Sequence, residues 1–208
     1  MDKKEVVMRP STLIKRQKII SAATQLFFKQ GYPETTLDQI IEQCGGSKQT
    51  LYRYFGDKKG ILNEVITQGT EEMKSVFQFE NDSDTALIKQ LNEFGYLYIK
   101  TLCSPQLLNM HRIVITESRR DPELAEFFLS RGPQHFHRIL TEFLLQQAEQ
   151  GKLNINKAPL AATRLLGLLK GDFFQEALVG LPCPSEQEIH KSAQQAVKFF
   201  LQGCSAPD

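Results

Sequence analysis

The sequence predicts an all-α fold. Apolar residues recur at helical spacing along its 208 residues, alternating strand-like runs are absent, and glycines and prolines fall where the periodic segments end or begin. These breaks imply roughly nine or ten helices. We expect a small three-helix domain over residues 12–60 and a larger helical domain over residues 61–204.

Ile19, Ala23, Leu26 and Phe27 lie on one face of a first helix, with Gly31 as its stop. Leu37, Ile40, Ile41 and Cys44 follow at i, i+3, i+4 and i+7, before Gly45-Gly46. Leu51 and Phe55 supply a short third stripe. Asp57 stands where a long helix carrying Leu62, Val65, Ile66 and Met73 begins. The polar segment 78–84 reads as a break, and Leu87, Leu91, Phe94, Tyr98 and Leu102 resume the pattern. Pro105 and Pro122 mark helix starts. Phe136, Ile139, Leu140, Phe143 and Leu144 define a helix that ends near Gly151. The stretch 158–179 reads as one buried helix. Its Arg164, Lys170 and Asp172 exclude a membrane span. Pro182 and Pro184 break it from a last helix over 186–201.

The net charge of +1 conceals an asymmetry. Residues 1–60 hold eleven basic and six acidic residues, against fourteen and eighteen in the remainder. A basic N-terminal piece on an acidic body implies a polyanion partner for that piece. Cys44, Cys103, Cys183 and Cys204 are widely spread, with no CxxC pair and no zinc-type Cys/His spacing. The charged start has no apolar signal region, so a cytoplasmic protein with free thiols is expected. No GxSxG, P-loop or HExxH is present. His135 and His137 flank Phe136, but that spacing turns two rings to different helix faces. Asp121 and Glu123 sit at a helix start, where capping explains them. Neither an enzyme nor a metal or cofactor site is expected.

Residues 36–55 carry the clearest motif, TLDQIIEQCGGSKQTLYRYF. Thr36 and Gln39 have capping-box spacing. Gly45-Gly46 permits a tight turn, and Ser47 stands at the cap of a second short helix. Two short helices around a glycine-containing turn form a helix-turn-helix. In the second helix only Leu51 and Phe55 are needed inside. Lys48, Gln49, Thr50, Tyr52, Arg53 and Tyr54 remain for other faces, and such side chains reach base edges and phosphates.

Residues 16–62 resemble the N-terminal domain of the TetR/AcrR family of bacterial regulators. The likeness rests on Arg16-Gln17-Lys18-Ile19-Ile20-Ser21-Ala22-Ala23, Leu26-Phe27, Gly31-Tyr32, Thr35-Thr36, Ile40, Gly45, Ser47-Lys48, Thr50-Leu51-Tyr52, Tyr54-Phe55, Asp57-Lys58-Lys59 and Leu62. The C-terminal part resembles the AefR-like branch in His111 to Ser118, Asp121-Pro122-Glu123-Leu124, Gly132-Pro133, Gly151-Lys152-Leu153 and Leu166 to Gly171. Two positions depart from the family pattern. The turn usually reads Ala-Gly-Val-Ser and is Cys44-Gly45-Gly46-Ser47 here, which costs about 1 kcal/mol of local stability. Gln49 replaces a residue that is usually small.

The resemblance implies a regulator, by family habit a repressor, that binds double-stranded DNA as a homodimer on a pseudo-palindrome. A small apolar or amphipathic ligand would release it. Thr36, Tyr52, Tyr54 and Lys58 would meet phosphates, Lys48, Gln49 and Thr50 would face the groove, and Ser47 would complete the DNA-binding set. Lys15, Arg16 and Lys18 would add diffuse attraction. Helices at 134–150 and 158–179 are the expected dimer face. A ligand between helices of the larger domain would lie near Phe94, Tyr98, His111, Ile115, Phe128 and Phe174, with Glu117 and Gln175 as further polar groups. The competing readings are a helical interaction module without DNA binding and a redox sensor using Cys44 or Cys103. Helical stripes place both thiols inward, which favours inert cysteines.

Overall fold

The computed structural model describes residues 10–74, 79 and 86–204. The described residues form eleven helices and no strand, as the all-α reading requires. No described helix is long and apolar enough to cross a membrane. The chain divides into two compact units, one ending at Gln68 and one beginning at Gly69.

The first unit contains α1 (Pro10–Gln30), α2 (Leu37–Cys44), α3 (Lys48–Phe55) and the start of α4 (Lys58–Lys74). Its core holds residues that the periodicity selects, Ala23, Phe27, Ile40, Leu51 and Leu62, together with Ile61, which it does not. Phe27 packs its ring edge-on against Tyr32 at 5.2 Å. Asp57 caps α4, its Oδ1 accepting from Gly60 N at 2.8 Å.

The second unit contains α5 (Leu87–Leu102), α6 (Pro105–Glu117), α7 (Pro122–Arg131), α8 (Pro133–Glu149), α9 (Ala158–Lys170), α10 (Phe173–Leu178) and α11 (Glu186–Gly203). Pro105 and Pro122 open their helices behind the caps Ser104 and Asp121. Ser185 and Glu188 form a capping box at α11. The side chain of Met73 and the break expected over 78–84 lie outside the described residues, Phe79 excepted.

The stretch 158–179 is not one helix. Gly171 takes φ 47° and ψ −155°, a conformation that side chains disfavour, and separates α9 from α10. Arg112 of α6 then closes α10 by donating to the carbonyls of Ala177 at 2.8 Å and Leu178 at 3.0 Å. Apolar periodicity runs through the bend and hides it.

The core of this unit lies where α5, α9 and α11 meet, with Leu91, Ile99, Leu165, Leu169 and Val197 almost wholly buried. Gly95 permits the approach. A Cβ there would lie 2.7 Å from Leu169 Cδ2 and 3.2 Å from Ala193 Cβ. α8 packs on α9, joined by His137 Nε2 to Pro159 O at 3.0 Å and to Thr163 Oγ1 at 2.9 Å. We expect Gly95→Val to destabilise this unit by roughly 1–3 kcal/mol through overpacking. Urea denaturation checks this, and an unchanged midpoint would show that the three helices separate freely.

Candidate nucleic-acid interface

The helix-turn-helix begins with the expected cap. Thr36 Oγ1 accepts from Gln39 N at 3.3 Å while Gln39 Oε1 accepts from Thr36 N at 2.8 Å. Gln30 of α1 donates to Gln39 Oε1 at 3.1 Å and to Thr35 Oγ1 at 3.3 Å, so the end of α1 braces the start of α2. Gly45 and Gly46 both take positive φ, 74° and 112°, and make the turn. Ser47 caps α3, accepting from Thr50 N at 3.3 Å.

Leu51 is the buried anchor of α3. Ser47, Lys48, Gln49, Tyr52 and Arg53 are exposed, as is Thr36, while Thr50 and Tyr54 are half-buried. Lys48 Nζ reaches Asp38 Oδ2 at 2.8 Å, which sets the starts of α2 and α3 side by side. That hydrogen bond and the opposite charge of Asp38 hold the Lys48 ammonium above its ordinary value. Tyr54 is engaged by Arg53, whose guanidinium lies 4.9 Å from its ring centre and donates to its hydroxyl at 3.2 Å.

Three residues brace the helix-turn-helix from outside the exposed face of α3. Lys58 Nζ donates to the carbonyls of Tyr32 (2.9 Å), Thr35 (2.9 Å) and Pro33 (3.3 Å), and lies 4.4 Å from the Tyr32 ring centre. An ammonium has three donors, and these carbonyls occupy them. Lys58 therefore clamps the loop between α1 and α2 where the resemblance implies a phosphate contact. Arg16 lies over the Phe55 ring at 5.0 Å and pairs with Glu64 at 2.9 Å, tying α1 to α3 and α4. At Gly60 a Cβ would fall 1.8 Å from the Phe55 carbonyl oxygen, so only glycine fits. Sequence reading missed Gly60, Asp38 and Gln30. A glycine in the first turn of a helix was the available sign for the first; nothing local marks the others.

In the second unit the six residues proposed around a ligand separate. His111, Phe128 and Phe174 meet, the imidazole lying edge-on to the two rings at 4.8 and 4.9 Å. Phe94 and Tyr98 belong to another cluster, with Phe79, Phe136 and Phe143. Ile115 is 57% exposed on α6 and joins neither. Gln175 is exposed as well, whereas Glu117 is buried. Burial pushes the Tyr98 phenol up to about 12 and keeps it protonated. A groove of about 550 Å³ runs along α9 and α11, lined by Leu160, Arg164, Leu168 and Phe199.

These features define a DNA-binding transcriptional regulator with a helix-turn-helix and a helical second unit. Residues 19–65 match the family model described as bacterial regulatory proteins, tetR family. Residues 89–203, more than half of the chain, match the AefR-like transcriptional repressor C-terminal domain. The chain belongs to the tetR family of bacterial transcriptional regulators, on its AefR-like branch. It is 26% identical over 205 residues to the uncharacterized HTH-type transcriptional regulator YvkB of Bacillus subtilis strain 168, covering 96% of this chain and all of the relative. A tetR-family regulator from Mesorhizobium loti superposes with TM-score 0.84 at 26% identity, over 94% of this chain and 98% of that one. The flavonoid-responsive regulator FrrA superposes with TM-score 0.81 at 30% identity, over 94% and 99%.

His111 sets a pH dependence. Burial lowers its pKa below the ordinary 6.5, an effect opposed by the Leu107 carbonyl at 2.9 Å and reinforced by Lys170. The unfolded chain takes up this proton more readily, so the contribution is intact above about pH 6.5 and is lost as pH falls toward the folded value. We expect His111→Phe to flatten the loss of stability between pH 7 and pH 5 in urea titrations. Parallel curves for the two proteins would remove His111 as its source.

Proposed function

We propose that the protein is a homodimeric repressor that reads a pseudo-palindromic operator through α3 and leaves it when a small aromatic, amphipathic effector binds the helical unit. One observation carries the DNA reading: α3 buries Leu51 and displays Lys48, Gln49 and Tyr52 to solvent, beside the exposed Thr36. Lys48, Gln49 and Thr50 take the base edges, and Thr36, Ser47, Tyr52 and Tyr54 take phosphates. Lys58 holds the loop that presents Thr36 and is a positioning residue. The division of labour follows the expected domains, with 12–60 reading DNA and 61–204 sensing and pairing.

A short recognition helix covers one half-site, so specificity calls for a two-fold pair. Phe199 is 69% exposed on α11, and Leu160 and Leu168 are each 45% exposed on α9. These side chains border the groove, and a second copy is its occupant. α8 buries Phe136, Leu140, Phe143 and Leu144 within its own chain, so α11 takes its place beside α9 in the dimer face.

The matched repressor domain supports repression. An aromatic effector is supported by the His111, Phe128 and Phe174 cluster and by the likeness to a flavonoid-responsive regulator. Release requires only that the effector bind more tightly to the dimer whose heads no longer match the groove spacing.

The test is binding to a site selected from random DNA. Gln49→Ala should weaken the selected site by about 1–3 kcal/mol and alter its sequence preference, and Tyr52→Phe should weaken all sequences alike. Affinity should fall steeply with salt as counterions are released. A flavonoid panel should raise the melting temperature and dissociate the complex. If alanine at Lys48, Gln49, Thr50 and Tyr52 together leaves specific affinity unchanged, α3 is not the reading helix. Stabilisation by a flavonoid without dissociation would remove the switch.

A further inference from the structure

We propose that Cys103 and Cys183 are a peroxide-responsive pair that closes into a reversible intramolecular disulfide. They stand 80 positions apart, and the fold carries the Cys183 thiol to 3.3 Å from the backbone carbonyl oxygen of Cys103, to which it donates. The hydrogen bond seats the Cys183 sulfur against the backbone of Cys103, close enough for one thiol to raise the pKa of the other. Disulfides need Cα atoms about 4.4–6.8 Å apart, a span that this contact allows.

The two thiols differ in a way that divides the labour. Cys183 is exposed between Pro182 and Pro184, whose rings restrict the backbone that presents it. Cys103 is buried as the C-cap of α5. Burial, with the proximity of Cys183, raises its thiol to about 11. Cys183 is thus the sulfur that meets an oxidant, and Cys103 the sulfur that resolves it.

The Cys183 thiolate attacks hydrogen peroxide. An S–O bond forms, the O–O bond breaks, and the departing hydroxide takes a proton to become water, leaving a sulfenic acid. Cys103 Sγ then attacks that sulfur. The S–S bond forms, the S–O bond breaks, and the second water leaves with the Cys103 proton. Two thiols are oxidised by two electrons and one peroxide is reduced to two waters. The bridge ties the corner between α5 and α6 to the linker before α11. Arg112 already fastens α6 to α10 in the same region.

Full-length protein treated with hydrogen peroxide and digested without reductant should yield a Cys103–Cys183 cross-linked peptide lacking two hydrogens. Dithiothreitol should reverse it. The oxidised chain should melt about 5–10 °C higher, because the bridge closes a long loop. Cys183→Ser should abolish the cross-link, and the Cys44→Ser, Cys204→Ser double variant should keep it. The proposal is overturned if Cys103 of the peroxide-treated protein still alkylates fully after unfolding. It is equally overturned if Cys183 advances to sulfinic acid with no cross-linked peptide.

Discussion

At the junction of α3 and α4 the two backbones approach so closely that a Cβ on Gly60 would lie 1.8 Å from the Phe55 carbonyl oxygen. The orientation of α3 depends on this approach. An eight-residue helix with one buried side chain has little burial of its own to hold it. The junction substitutes close backbone packing, the Arg16 bracket on Phe55 and Glu64, and the Lys58 clamp. The N-terminal unit is small, and small units bury a limited fraction of their surface. Polar fasteners at helix ends therefore carry orientation while Phe27, Ile40, Leu51 and Leu62 carry burial.

The same economy explains the outer face of α3. Side chains spared from the core are available to DNA, and the pairing of Lys48 with Asp38 keeps the foremost cation in place. That pair is exposed and yields to salt. The second unit is built differently, with Gly95 drawing α5, α9 and α11 into a tight core and aromatic rings filling the rest. Leu160 and Leu168 of α9 and Phe199 of α11 stand exposed beside one groove.

Much of the fold was legible because local rules set it. Thr36 with Gln39, Ser47, Asp57, Pro105 and Asp121 each satisfy backbone groups within a few residues, so their spacing announces them. The break at Gly171 was illegible because apolar periodicity continues across it. Ile115 was misread because it falls one turn from His111, yet the helix turns it outward. Phe94 and Tyr98 could not be assigned to a cluster from density of aromatics, since contact depends on how helices cross. Lys58 shows the same limit: its charge is visible in the sequence, but the three carbonyls that capture it come from a loop more than twenty residues away.

The α3–α4 junction sets the orientation of α3. The most direct measurement is the affinity of Gly60→Ala for a DNA site selected by the unsubstituted protein, set beside its affinity for unrelated DNA. The added methyl group must push α3 away from α4. Specific affinity should fall at least tenfold while binding to unrelated DNA and the melting of the second unit hold. Unchanged specific affinity in Gly60→Ala would contradict the account.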